Sequence, residues 1–242
     1  MARGAPDDSN VLSSENLYRL DDLSELAVRL GSIVDYHRSG NVVLMDDFGS
    51  GIGGWYKHWA GAGVEIHGVN SESRSANLAA RLYSGPAGGN KAGIIKYLPP
   101  LAVGKVGICL AFRLNSFVDK LEIRLDHYTL GQLYRYIVAY HPDTENLTYL
   151  DAAGDEVPFA DVGELRAFAF VFHVVKIVLD LSAQTYHFTN LNRVEYSMVG
   201  LAPEPLAPTG DVYDELYVIC WGLAPVGGEA FVDDVVITQN EE

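Results

Sequence analysis

Two Asp-Asp steps, Asp46-Asp47 near one end of the chain and Asp233-Asp234 near the other, are the residues best suited to a hard divalent cation, because Ca2+ prefers carboxylate oxygens. Side chains alternate along a strand, so adjacent carboxylates point to opposite faces. At most one of each pair ligates easily without a bulge or help from backbone carbonyls. The competing expectation is that all four cap loops in solvent. A further acidic stretch, Glu122-Ile-Arg-Leu-Asp126, places Glu122, Arg124 and Asp126 on one face of a strand. Glycosidic hydrolysis needs carboxyl groups about 5 to 9.5 Å apart, whereas Cα atoms four residues apart on a strand lie about 13 Å apart. With Arg124 between the acids, a surface charge ladder is the expectation.

Tyr134, Tyr136 and Tyr140 alternate onto one strand face, and Trp55, Trp59 and Trp221 are the three tryptophans. Flat rings in such positions can stack on pyranose rings, which makes Trp55, Trp59, Tyr134, Tyr136 and Tyr140 candidate glycan contacts. Aromatics at period two also pack in cores and across strands. None of His37, His58, His67, His127, His141, His173 and His187 has metal-motif spacing, and His173 and His187 are expected to flank each other across a hairpin. Gly85-Pro-Ala-Gly-Gly-Asn90 opens no helix and so forms a turn, not a phosphate cradle. No nucleophile is assembled with a base, so a non-enzymatic protein is expected.

The elements that must position these groups are strands. The stretch Leu165 to Met198 is dense in Phe and Val, turns at Ser182-Ala-Gln184 and returns with polar-apolar alternation after Thr185, the pattern of a long antiparallel hairpin. A hairpin is not stable alone in water, so other strands must supply a second layer. About eleven to thirteen strand-like runs separated by Gly, Pro, Asn and Asp predict an all-β, two-sheet antiparallel jelly-roll sandwich over residues 41–242. Leu201 to Gly210, with Pro203, Pro205 and Pro208, is expected as a stiff surface crossing. Residues 1–40 form a separate region, an extended arm followed by one short amphipathic helix over Asp21 to Leu30. Leu17, Tyr18, Leu20, Leu23, Leu26 and Leu30 are its candidate partner-binding residues.

Composition narrows the partners. With 17 Lys and Arg against 32 Asp and Glu, the net charge is -15, which disfavours phosphate backbones and anionic lipid surfaces: no nucleic acid and no membrane partner is expected. A 48% hydrophobic share is ample for a large core. The two cysteines, Cys109 and Cys220, lie in apolar runs and are expected as buried free thiols. The first residues lack the apolar segment of a secretory signal, so a soluble chain without a signal peptide is expected.

Three stretches together resemble the concanavalin A-like jelly-roll group, which includes laminin-G-like modules, carbohydrate-binding modules and some glycoside hydrolases. They are Asp46-Asp-Phe-Gly-Ser-Gly-Ile-Gly-Gly-Trp55, Val174-Val-Lys-Ile-Val-Leu-Asp180 with Gln184-Thr-Tyr186, and Ala230-Phe-Val-Asp-Asp-Val-Val-Ile-Thr238. The resemblance implies that first and last strands pair, bringing the two Asp-Asp steps together as a possible Ca2+ site. Glu122 to Asp126 is also similar to the spaced acids of laminarinase-type hydrolases, except that Arg124 replaces their central Asp. A second likeness is narrower: Ser24-Glu-Leu-Ala-Val-Arg-Leu-Gly-Ser-Ile-Val34, followed by Val42-Val-Leu-Met-Asp-Asp-Phe48, resembles the amino-terminal part of uncharacterised structural proteins of tailed bacteriophages. It implies a virion protein, a capsid decoration or tail-associated component, anchored through its arm to other virion or assembly subunits and homo-oligomeric. The alternative is a carbohydrate-binding module that grips a surface glycan with or without Ca2+.

Overall fold

The structure is a computed structural model that describes residues 40–74, 78–101, 104–129, 131–165, 171–207 and 213–241. The arm, the helix over Asp21 to Leu30 and the six candidate partner-binding residues lie outside the described residues. Among the described residues, sixteen strands follow in order: β1 (Asn41–Asp46), β2 (Tyr56–Ala60), β3 (Glu65–Val69), β4 (Ala79–Tyr83), β5 (Lys91–Leu98), β6 (Lys105–Leu114), β7 (Val118–Thr129), β8 (Gln132–His141), β9 (Asn146–Leu150), β10 (Glu156–Asp161), β11 (His173–Asp180), β12 (Thr185–Leu191), β13 (Val194–Ser197), β14 (Glu204–Leu206), β15 (Asp214–Gly222) and β16 (Glu229–Gln239).

They form two antiparallel sheets packed face to face, the expected jelly-roll sandwich. The first sheet has the order β13-β12-β11-β6-β16-β4-β3, with β1 also paired to β16; the second has the order β10-β9-β8-β7-β15-β5-β2, with β14 also paired to β8. One edge of β16 serves two partners, β4 along Glu229–Val232 and β1 along Val235–Gln239. The changeover falls at a bulge where Asp234 adopts φ +52°, a conformation Asp tolerates better than most residues. First and last strands therefore pair as expected.

The strand count exceeds the expectation because β2, β10, β13 and β14 are short edge strands with weak patterns. The predicted crossing from Leu201 in fact contains β14: Pro205 is tolerated because β14 is an edge strand, where a missing donor costs little. The long hairpin is real from His173 onward, but its return half breaks at Asn192-Arg193, both at positive φ, into β12 and β13. The hairpin register separates the histidines, since His187 falls beside Val178 and Leu179. His173 faces Asn192, with 2.9 Å between the His Nδ1 and Asn Nδ2 atoms, and does not flank His187.

Between the sheets, Ile108, Leu110 and Phe112 of β6 and Ile177 and Leu179 of β11 meet Leu121, Ile123 and Leu125 of β7 and Leu216 and Val218 of β15. Each such side chain contributes about 1.5 to 3 kcal/mol by leaving water. Tyr186 of β12 ties the layers together: its hydroxyl accepts from Ile137 N–H (2.9 Å) and donates to Leu150 O (2.9 Å) on the opposite sheet. Cys109 and Cys220 are buried and form no disulfide. Among the described residues, no helix is long and apolar enough to cross a membrane.

Candidate functional site: the outer face of the second sheet

Alternation turns half of each strand in the second sheet away from the core, and the registers stack these residues into four rows across the sheet. The first row is Lys91, Trp221 and Lys120. The second runs from His58 through Gly93, Ile219, Glu122 and Ala139 to Thr148. Its middle is a low floor: Cβ at Gly93 would come within 2.8 Å of Val218 O, so no larger residue fits without a shift. The third row is Tyr56, Ile95, Tyr217, Arg124 and Ile137, and the fourth is Tyr97, Glu215, Asp126, Arg135 and Glu204.

Ion pairs and cation–π contacts join the rows. Lys91 and Lys120 carry their ammonium groups 4.9 and 5.3 Å from the Trp221 ring centre, and Trp221 Nε1 donates to Glu122 (3.1 Å). Lys120 Nζ also lies 3.6 Å from Glu122 and 2.8 Å from Glu156, so one ammonium serves two carboxylates. Glu156 further takes hydrogen bonds from His141 Nε2 (2.5 Å) and Thr148 Oγ1 (2.6 Å). The His141 contact first, then Lys120 and Thr148, outweigh partial burial and hold the Glu156 carboxyl down at about 2.

The Arg124 guanidinium carbon sits over Tyr217, 4.1 Å from the ring centre, and the side chain donates to Asp126, which Arg135 Nε reaches from the neighbouring strand at 3.0 Å. Tyr217 donates to Glu215 (2.6 Å); burial, then that bond, push its hydroxyl well above the usual tyrosine range. His58 stands edge-on to Tyr217 at 5.7 Å, and its Nε2 has no hydrogen-bond partner among the described residues. Burial, then the positive charges of Lys91 and Arg124, lower its pKa, so it is neutral at neutral pH. Tyr56 and Tyr97, 62% and 42% exposed, form an edge-to-face pair at one side of this surface, with centroids 4.9 Å apart. Paired charges ringed by aromatic surface can trade hydrogen bonds with a polyhydroxylated ligand while flat rings cover its C–H faces.

Several expected site residues lie elsewhere. Tyr136 and Tyr140 do share a face with Tyr134, but it is the inner one: Tyr136 is 1% and Tyr140 4% exposed, and Tyr134 packs against the same core. Trp55 is also core, 5.6 Å from Phe48 with Nε1 bound to Asp46 (2.9 Å). These four residues are therefore not a glycan platform, because covering the sandwich interior claims their apolar area. Trp59 is exposed, on the sheet edge and not on the face described above. The ladder Glu122, Arg124 and Asp126 keeps its predicted common face, but it is not solvated: Glu122 is 5% and Asp126 2% exposed. Sequence reasoning missed Tyr56, His58, Lys91, Lys120, Tyr97, Glu156 and Tyr217. Their signal was present as the alternation Tyr217-Ile219-Trp221 opposite Lys120-Glu122-Arg124, but only the register joins the two strands.

The four aspartates fit a Ca2+ ion poorly, since N–H groups engage their carboxylates. Asp46 accepts from Phe48 N (2.9 Å) as well as Trp55, and Asp47 from Gly49 N (2.9 Å). Asp233 accepts from Arg74 N and Asp234 N, both at 2.8 Å, and Asp234 pairs with the Arg74 guanidinium at 2.7 Å. Arg74 thus supplies the positive charge at this place. Among the described residues, no group of three His, Cys, Asp or Glu is arranged to hold a metal ion. Asp233 and Asp234 are 0% and 3% exposed, so the expectation that they sit in solvent also fails. Burial first, then Asp233, with a smaller push from Asp47, raise the Asp234 carboxyl to about 7 against the pull of Arg74.

No protein-family model and no curated protein matches the sequence. The fold is similar to solved structures. One is an endo-beta-1,4-glucuronan lyase from the fungus Trichoderma reesei, at TM-score 0.58 and 11% identity over 83% of this chain and 96% of that one. A second is a carbohydrate esterase of the Shiga toxin-encoding bacteriophage phi24B, at TM-score 0.51 and 12% identity over 78% of this chain and 91% of that one. A third is a sialidase, at TM-score 0.54 and 11% identity over 84% of this chain but only 19% of that one. At such identities the likeness establishes the all-β sandwich fold.

Proposed function

We propose that this chain is a carbohydrate-binding domain whose ligand lies across the outer face of the second sheet. The observation that carries the reading is the face itself: Trp221, Tyr217, Tyr97 and Tyr56 alternate there with Lys, Arg, Glu and Asp groups that already hold one another in place. A preorganised polar face orders few side chains on binding, which keeps the entropic cost low. The fold agrees with this reading, since the lyase and the esterase that it resembles over most of their length are named for carbohydrates.

We read the face as binding and not cleaving. Glu156, held at about 2, is no proton donor at neutral pH, and the Tyr217 hydroxyl is committed to Glu215. The role of an assembly or virion subunit, with its homo-oligomer and subunit partners, rests on the arm and helix, which are outside the described residues; the described face favours the glycan reading. The test is a glycan array of neutral and acidic oligosaccharides probed with the full chain. At least one series should bind, and Trp221→Ala should weaken it about tenfold, equivalent to about 1.4 kcal/mol. Silence across the array, or binding indifferent to Trp221→Ala, Tyr217→Ala and Arg124→Met alike, would overturn the reading.

A further inference from the structure

Strand β2, at the edge of the second sheet, has two sides, and only one of them belongs to the face described above. Tyr56 and His58 point outward, whereas Lys57 and Trp59 point toward the open edge of the sandwich. There β2 and β3 are the edge strands of opposite sheets, joined by the short crossing Gly61-Ala-Gly63. Gly61 and Gly63 adopt φ +108° and +74°, which L side chains rarely do, and Asn90 Nδ2 pins the crossing by donating to Ala62 O (3.2 Å). The chain therefore turns from one sheet to the other without filling the corner between them. What remains is a cleft of about 180 Å3 lined by Lys57, Trp59, Val64 and Ile66.

Three features narrow its occupant. Trp59 is 61% exposed and none of the ring contacts in the described structure involves it, so its indole offers a free apolar plane. Val64 and Ile66 form a floor continuous with the core. Among the described residues the exposed Lys57 ammonium has no carboxylate partner, unlike Lys120 on the outer face. At about 180 Å3 the space falls below the range of about 300 to 1,000 Å3 of drug-sized ligand pockets, which suits a single ring and not a longer segment. A lone cation beside a bare aromatic plane selects a ligand with an anion at the edge of an apolar ring face.

We propose that this cleft is a second subsite that takes one acidic sugar unit, its ring against Trp59 and its carboxylate at Lys57 Nζ. The subsite extends the glycan reading to another surface and rests on it. The three tryptophans make the test internally controlled, because each indole N–H gives its own nuclear magnetic resonance signal. Trp55, buried and bound to Asp46, is the silent reference; Trp221 reports the outer face and Trp59 the cleft.

The full chain is titrated with sodium D-glucuronate, D-glucose and sodium acetate, with signals assigned from the Trp→Ala variants. Glucuronate should shift the Trp59 signal saturably, glucose at least fivefold more weakly, and acetate should leave it unmoved. Lys57→Gln should remove the preference for glucuronate over glucose while leaving the Trp55 signal in place. Equal responses to glucuronate and glucose, a response to acetate alone, or a still Trp59 signal each overturn the subsite. A moving Trp221 with a still Trp59 rejects the cleft and keeps the outer-face reading; stillness of both rejects the cleft, and the glycan array then decides the outer face.

Discussion

The inner and outer faces of the second sheet hold similar aromatic residues under opposite rules. Tyr136, on the inner face, packs edge-to-face on Tyr186 with centroids 5.4 Å apart, and its hydroxyl has no hydrogen-bond partner among the described residues. Tyr217, on the outer face, has both a cation over its ring and a carboxylate on its hydroxyl. A neutral hydroxyl can be left unsatisfied inside a core for about 1 to 3 kcal/mol, whereas charged groups with little access to water need partners. The outer face accordingly assembles cross-strand pairs, and those pairs make it a surface with fixed donors and acceptors. The inner face contributes volume.

Four changes would break or sharpen this contrast. The largest effect belongs to Tyr136→Ala, which should destabilise the fold by about 3 to 5 kcal/mol in urea denaturation, because it opens a cavity between the sheets. If that variant kept full stability and lost glycan binding, the assignment of inner and outer faces would be wrong.

Asp234 tests the rule in the first sheet, where an acid is as buried as Tyr136 but chargeable. Its carboxyl is raised to about 7 in the fold against an ordinary value of 3.8, so the fold favours its neutral form. That contribution is fully present below pH 3.8 and is lost as pH rises toward 7. Asp234→Asn keeps the shape, tolerates the positive φ and removes the charge. Its melting temperature should exceed that of the parent above pH 7, and the parent's downward slope between pH 4 and 7 should flatten. Glu156 does not confuse this window: its lowered pKa, about 2, gives stability that is present above its ordinary 4.5 and lost only as pH falls toward 2.

Next comes Trp221→Ala on the outer face. Because Trp221 lies outside the core between the sheets, the main loss should be in binding, about tenfold, with a change in chemical stability below about 1.5 kcal/mol. The smallest effect is expected for Tyr136→Phe: deleting an unpartnered hydroxyl should leave stability within about 0.5 kcal/mol or slightly raise it. A clear loss there would mean that the hydroxyl has a bonding role that its surroundings do not indicate.

The candidate site was only half legible in the sequence. The common face of Glu122, Arg124 and Asp126 followed from period-two geometry alone and holds in the fold. That these residues are shielded, with Trp221, Tyr217, Glu156 and Arg135 as their partners, depended on residues far away in the chain. The density of tyrosines on β8 suggested a platform because aromatic alternation is the same signal whether a strand faces a ligand or a core. The Asp-Asp steps met as the pairing of first and last strands required, yet Arg74, from the stretch between β3 and β4, took the position given to a cation.

By itself, then, the sequence determined that strands would dominate and which residues would share a strand face, because backbone alternation and turn chemistry are local; the pairing of β1 with β16 is long-range and was implied by the resemblance alone. It could not determine which of the two faces would be inward. A strand offers both, and the choice belongs to the sheet laid against it: Tyr186 reaching across to Ile137 and Leu150 turns the β8 tyrosines into core, and leaves the opposite face, with its paired charges, as the surface on which to look for a ligand.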